Sequence, residues 1–123
     1  MSFHPVVFGR ALTRLLSCGV LALLPTAVLA VDYEKEIKPL LKERCYACHG
    51  ALKQKAGLRV DTATAMRKGG DNGDILSGNP GLLLERVTTA DKDDRMPPEG
   101  EGSMFTAEQV AKLQAWMAGG AAA

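Results

Sequence analysis

The chain has 123 residues, of which 46% are hydrophobic and 24% are charged. This length suffices for one compact domain and leaves no room for a second hydrophobic core. The 15 basic and 14 acidic residues nearly cancel and form no basic block, so we do not expect nucleic acid as a partner.

The first thirty residues differ in composition from the rest of the chain. They contain no acidic residue, carry Arg10 and Arg14, and then run apolar over residues 15–30. A basic start followed by an apolar stretch is the outline of a secretory signal peptide. We therefore predict a signal peptide over residues 1–30 and a folded domain over residues 31–123.

Cleavage is predicted after Ala30, where Val28 and Ala30 supply the small residues that signal peptidase reads. Two alternatives remain. A membrane anchor is disfavoured because the apolar run has 16 residues and contains Pro25, whereas a spanning helix needs about 20 apolar residues. A lipoprotein site at Cys18 is disfavoured because most of the apolar run follows this cysteine. Cleavage predicts export to the periplasm, with membrane contact only if the segment is retained.

Removal of the signal peptide would also remove Cys18 and His4. The remaining cysteines and histidine then all lie in the hexapeptide CYACHG, residues 45–50. Structural zinc normally takes four cysteine or histidine ligands, and this stretch offers three. The ligand count therefore argues against a structural zinc site.

The first helix is predicted over residues 32–44, directly before this motif. Tyr33, Ile37 and Leu41 recur at helical spacing, and the acidic residues lie early, where the helix dipole favours them. Pro39 either kinks this helix or occupies the first position of a second one that starts near Lys38. In both cases a helical segment leads into CYACHG.

The motif CYACHG places Cys45 and Cys48 about one helical turn apart, with His49 directly after the second cysteine. This is the attachment signature of c-type haem, in which two thiols bond to the porphyrin edge and the histidine binds the iron. We therefore predict one covalently attached haem c per chain. A thioredoxin-like redox pair would need a preceding β-strand, and a disulfide within the motif would close too small a loop to stabilise much.

Three further helices are predicted after the motif. The second has Asp61 as its N-cap, and the third begins at an Asn-Pro pair, residues 79–80. The fourth begins with a capping box formed by Thr106 and Gln109. Glycine-rich stretches between these helices predict turns, and we expect the final alanines, residues 121–123, to fray.

Lys53, Lys55 and Arg59 follow the motif closely. Their side chains could reach the haem propionates, although a solvent-exposed basic loop is the preferred interpretation.

The loop before the last helix holds the candidate for a second iron ligand. Met96 precedes Pro97, and the residue before a proline is kept out of the helical region. Its thioether therefore lies on extended backbone, which suits a ligand supplied by a loop. Met66 and Met117 fall on predicted helices, where core packing is the better interpretation. We predict Met96 as the sixth ligand, with Met104 as runner-up and an open or water-ligated iron as the remaining alternative.

Together, CYACHG, the stretch KQKAGLRVD, the helix NPGLLLERV and the tetrapeptide RMPP resemble the planctomycete-type cytochrome c domain, a branch of the class I c-type cytochromes. The resemblance covers roughly residues 33–118. It implies a small all-α class I fold of about four helices around one covalently attached haem. It also implies thioether bonds at Cys45 and Cys48, with His49 as the proximal ligand and Met96 as the distal one.

These features predict an electron carrier rather than an enzyme. The chain shows no nucleophile or acid–base constellation, and after cleavage it lacks the second histidine that peroxidase chemistry would use. We expect a periplasmic, monomeric, monohaem cytochrome that passes single electrons between redox-partner proteins. Two alternatives remain: a haem-based sensor or small-gas-binding module with a labile sixth ligand, and a structural domain without haem.

Overall fold

A computed structural model describes residues 1, 2, 4, 30–78 and 80–123. The predicted signal peptide lies almost wholly outside the described residues, as do Cys18 and the predicted helix start at Asn79. None of the helices in these ranges is long and apolar enough to cross a membrane. Cleavage after Ala30 and the domain boundary therefore stay predictions.

The described residues form one turn of π-helix and five short α-helices. They are the π-helical turn Tyr33–Ile37, α1 Lys38–Arg44, α2 Tyr46–His49, α3 Ala63–Lys68, α4 Leu82–Thr88 and α5 Ala107–Ala118, with a 3₁₀ turn at Lys55–Gly57. Within the described ranges there is no β-strand, and extended pairing is limited to two isolated bridges. The predicted all-α class is confirmed for this part of the chain, although the first predicted helix is built from two elements.

The segment before the motif changes from a π-helical turn to an α-helix at Lys38. The Asp32 side chain caps the turn by accepting a hydrogen bond from the Lys35 backbone N–H at 3.0 Å. Pro39 lies in the first turn of α1, where its missing N–H removes no intrahelical hydrogen bond. A second helical element does start at Lys38 as predicted, with Pro39 as its second residue and not its first.

Helix α3 begins one residue later than predicted. Its N-cap is Thr62, whose hydroxyl accepts a hydrogen bond from the Ala65 backbone N–H at 3.1 Å. Asp61 instead forms an ion pair with Arg59, with 2.5 Å between nitrogen and oxygen. Both residues are good N-caps, and the nearby arginine takes the carboxylate away from that role.

Helix α4 begins at Leu82, so the prediction that Pro80 would occupy its first position is wrong. The residue before the helix is Gly81, with φ at 86°, a conformation that favours glycine. A Cβ atom added there would lie 2.6 Å from the Cε atom of Met117. Close packing of this turn against α5 therefore sets the start of α4.

The hydrophobic core joins the first and last helical segments. Four of its side chains are completely buried: Ile37, Leu41, Met66 and Leu113. Tyr33 of the π-helical turn stacks on Trp116 of α5, with 5.4 Å between ring centroids, within the usual range for an aromatic pair. Helix α5 also packs on α4. The CYACHG motif and α4 lie beside this core and enclose a cavity between them.

Ala121 and Ala122 are held in place, so the prediction that the final alanines fray is wrong for these two residues. Ala121 is only 3% exposed. Its carbonyl accepts a hydrogen bond from the Arg67 guanidinium at 3.2 Å, and the Trp116 indole N–H donates to the Ala122 carbonyl at 2.7 Å. The alanines themselves carry no signal for these contacts, because both donors lie elsewhere in the chain.

We expect Leu113→Ala to lower the free energy of unfolding by about 2–5 kcal/mol, since it removes a fully buried side chain from a packed core. The exposed neighbour Gln114 provides the control, and Gln114→Ala should change stability by less than about 0.5 kcal/mol. Urea unfolding of the exported, haem-loaded protein followed by circular dichroism measures both. Equal effects of the two substitutions would contradict the core assignment.

Candidate haem site

A cavity of about 180 Å³ opens between the CYACHG motif, the glycine-rich turn at residues 70–73 and α4. Three of the four predicted site residues belong to its lining: Cys45, His49 and Met96. Cys48 is half-buried and is not part of the lining. One ordered water needs about 10–15 Å³ on the same measure, so this space can hold part of a much larger group.

The rest of the cavity wall is mostly apolar. Its aliphatic side chains are Leu58, Val60, Ile75, Leu82, Leu83 and Val87. Sites for organic cofactors are typically apolar clefts with a few placed polar groups. Such a wall suits a flat macrocycle whose faces are largely hydrocarbon.

His49, the last residue of α2, has its ring held in a defined orientation. Its Nδ1 atom lies 3.1 Å from the backbone carbonyl oxygen of Lys55. Because a carbonyl oxygen can only accept, Nδ1 must carry the proton and donate. The lone pair is then on Nε2, which is the arrangement usual for a histidine that binds a metal. The ring therefore fits the role of an axial iron ligand.

The backbone around His49 folds the following loop onto α2. The His49 carbonyl accepts a hydrogen bond from the Val60 N–H at 2.8 Å, and the Gly50 N–H donates to the Lys53 carbonyl at 2.9 Å. A Cβ atom at Gly50 would lie 2.5 Å from the carbonyl oxygen of Tyr46. Glycine is needed at this position, because the chain leaves α2 in close contact with the helix backbone.

The two cysteines of the motif are free thiols, and both are half-buried. Burial raises the pKa of the Cys45 thiol to about 11, so this thiol is protonated at neutral pH. Cysteines of redox-active CxxC pairs show the opposite shift. In addition, α1 rather than a β-strand precedes the motif. These observations disfavour the thioredoxin-like and disulfide interpretations.

Met96 lies in the loop between α4 and α5 and lines the same cavity as His49. Its backbone N–H donates to the carbonyl of Arg86 at 2.8 Å. The runner-up Met104 is 46% exposed and is not part of the lining, while Met66 is buried in the core and Met117 packs against it. Imidazole and thioether together are a donor set found on haem iron.

Arg86 also lines the cavity and was not among the predicted site residues. It shares a face of α4 with Leu82, Leu83 and Val87, all in the same wall. Its guanidinium contacts the carboxylate of Asp94 and donates to the Asp94 carbonyl at 3.1 Å. The sequence signal was an arginine placed within an apolar helical stripe, at positions 82, 83, 86 and 87.

The basic residues after the motif do not line the cavity. Lys53 and Lys55 are exposed, and Arg59 is engaged with Asp61. The hydrogen bond from the Arg59 guanidinium lowers the pKa of the Asp61 carboxyl. The described contacts thus agree with the preferred interpretation of a basic surface loop.

Residues 45–100 match the model of a family described as planctomycete cytochrome C. The matched segment begins at Cys45 and includes Cys48, His49 and Met96. Neither the curated proteins nor the solved structures give a significant match to this chain. A domain of this family implies haem c as the cofactor. Residues 45–100 are therefore similar to a planctomycete-type cytochrome c domain.

Proposed function

We propose that the protein is a periplasmic, monomeric, monohaem c-type cytochrome that carries single electrons between redox-partner proteins. The observation that carries this proposal is the presence of His49 and Met96 in the lining of one cavity, beside the attachment motif of a cytochrome c domain. When bound, haem c supplies an iron that accepts and releases one electron.

The residues of the site have separate roles in this proposal. Cys45 and Cys48 would hold the cofactor through thioether bonds, and His49 would hold the iron through Nε2. Met96 would hold the iron through its thioether, and thioether ligation raises the reduction potential. The apolar wall, including Leu83 and Val87, limits access of water. With His49 and Met96 both engaged, the iron would have no place for a substrate, which supports a carrier rather than an enzyme.

The periplasmic location rests on the first thirty residues and on the chemistry of attachment, since c-type haem is attached on the outer side of the membrane. We expect the exported protein to begin at Val31. N-terminal sequencing of the periplasmic fraction checks this, and a Val28→Arg variant, which disrupts the small-residue positions of the cleavage site, serves as the comparison. Recovery of an intact Met1 from the membrane fraction would contradict cleavage.

Met96→Ala is expected to abolish the charge-transfer band that marks a thioether bond to ferric iron and to lower the reduction potential, since the sixth ligand is lost. Visible spectra and potentiometry of the haem-loaded protein measure both changes. Met104→Ala is the matched control because Met104 is 46% exposed and outside the cavity lining. It should leave the band unchanged.

A band that survives in Met96→Ala would overturn the ligand assignment. A high-spin spectrum in the unmodified protein would instead support the alternative function, a haem-based sensor or small-gas-binding module in which the sixth position is open. Both outcomes follow from the same spectra, so one experiment separates the two functions.

The double variant Cys45→Ala, Cys48→Ala should lack the haem mass increment and retain little stable helix. A chain of this size has a thin core, and without haem the walls at Ile75, Leu83 and Val87 would border an unfilled cavity. Mass spectrometry and circular dichroism test this, with unmodified protein made without the haem-attachment machinery as the comparison. Cooperative melting of the double variant would contradict the expectation.

A further inference from the structure

We propose that Arg86 is a positioning residue that holds Met96 at the iron by fixing the loop after α4 at two points. The inference rests on the proposed function, because it concerns the geometry of the methionine ligand. Arg86 itself binds no iron in this proposal. It acts through the backbone of Met96 and through Asp94, two residues earlier in the loop.

Both attachment points come from the same residue of α4. The Arg86 carbonyl accepts a hydrogen bond from the Met96 backbone N–H at 2.8 Å. The Arg86 guanidinium donates to the Asp94 carbonyl at 3.1 Å and forms an ion pair with the Asp94 carboxylate. The carbonyl and the guanidinium of Arg86 thus contact the two residues on either side of Arg95, Met96 and Asp94.

Close to Met96 the loop has two other contacts: Pro97 is buried, and the Arg95 backbone N–H donates to the Asp91 carbonyl at 3.0 Å within the loop itself. Residues 91–94 and 99–104 are exposed, and the ion pair of Lys92 with Glu99 joins two side chains that are both more than half exposed. At the far end, the Arg44 guanidinium donates to the Met104 carbonyl at 2.9 Å, eight positions beyond Met96. Arg86 is therefore the helical anchor nearest to the ligand in this part of the chain.

The contact between the Arg86 side chain and Asp94 is suited to this role because it is both an ion pair and a directional hydrogen bond. Arginine has several N–H donors in a rigid plane, so one guanidinium can serve a carbonyl and a carboxylate at once. The Arg86 side chain is 31% exposed and lies in the cavity wall, whereas the Asp94 side chain is 60% exposed, so the ion pair lies at the rim of the cavity and is screened by water. Because the loop is already ordered, binding of the Met96 thioether to iron would not have to offset the entropy lost in ordering a mobile loop.

The test uses the haem-loaded protein and added imidazole, which competes with Met96 for the iron. Arg86→Ala should raise the apparent affinity for imidazole about tenfold or more, since hydrogen bonds to charged groups are lost. Asp94→Asn removes the ion pair but keeps the carbonyl, so it should give a smaller rise, about threefold. Circular dichroism at the assay temperature must show the native helical signal for each variant.

Glu99→Gln is the matched control, because it breaks the surface ion pair with Lys92 in the same loop and should leave the imidazole affinity unchanged. Met96→Ala sets the upper limit of the effect. If Arg86→Ala does not fold, Asp94→Asn carries the test alone, since it leaves Arg86 and its main-chain contact in place.

An imidazole affinity that stays at the wild-type value in Arg86→Ala, or in Asp94→Asn if only that variant folds, overturns the proposal. A rise in Arg86→Ala without any rise in Asp94→Asn also overturns it, because Arg86 would then act on the bound cofactor and not through the loop. No change in Met96→Ala would show that methionine ligation itself, and with it the proposed function, is wrong.

Discussion

The site depends on the hydrogen bond from the His49 ring to the Lys55 carbonyl. This 3.1 Å contact fixes which ring nitrogen carries the proton and which one is available to a metal. It forms only because the chain turns sharply at Gly50 and the following loop returns to donate from Val60 to the His49 carbonyl. The attachment motif is therefore supported by the ten residues after it as much as by α1 before it.

The two sides of the candidate site are built differently. His49 ends a helix and is held by three backbone groups, those of Lys55, Val60 and its own α2 turn. Met96 lies on a loop that is hydrogen-bonded to α4 through one residue, Arg86, with Pro97 buried next to the ligand. Because loops with few buried contacts open more easily than packed helices, the methionine side is the weaker one. In the proposed function, the loop after α4 would therefore decide between a closed electron carrier and a ligand-binding module.

The small core explains why haem and fold are linked in the proposed function. The stack of Tyr33 on Trp116 and the buried side chains around Leu113 join the first and last helices. A cavity remains on the other side, walled by residues such as Leu83 and Val87 that also belong to the core. A group that fills this space would complete the packing, so binding of haem would contribute directly to stability.

The sequence by itself determined the helical class, the attachment motif and the capping box at Thr106, because these depend on spacing and on neighbours within one turn. It also pointed to Met96 through Pro97. The contacts of Arg86, Ala121 and Ala122 were decided only by the tertiary structure. Their partners lie from five to more than fifty positions away in the chain, and helical periodicity does not identify the partners in such contacts.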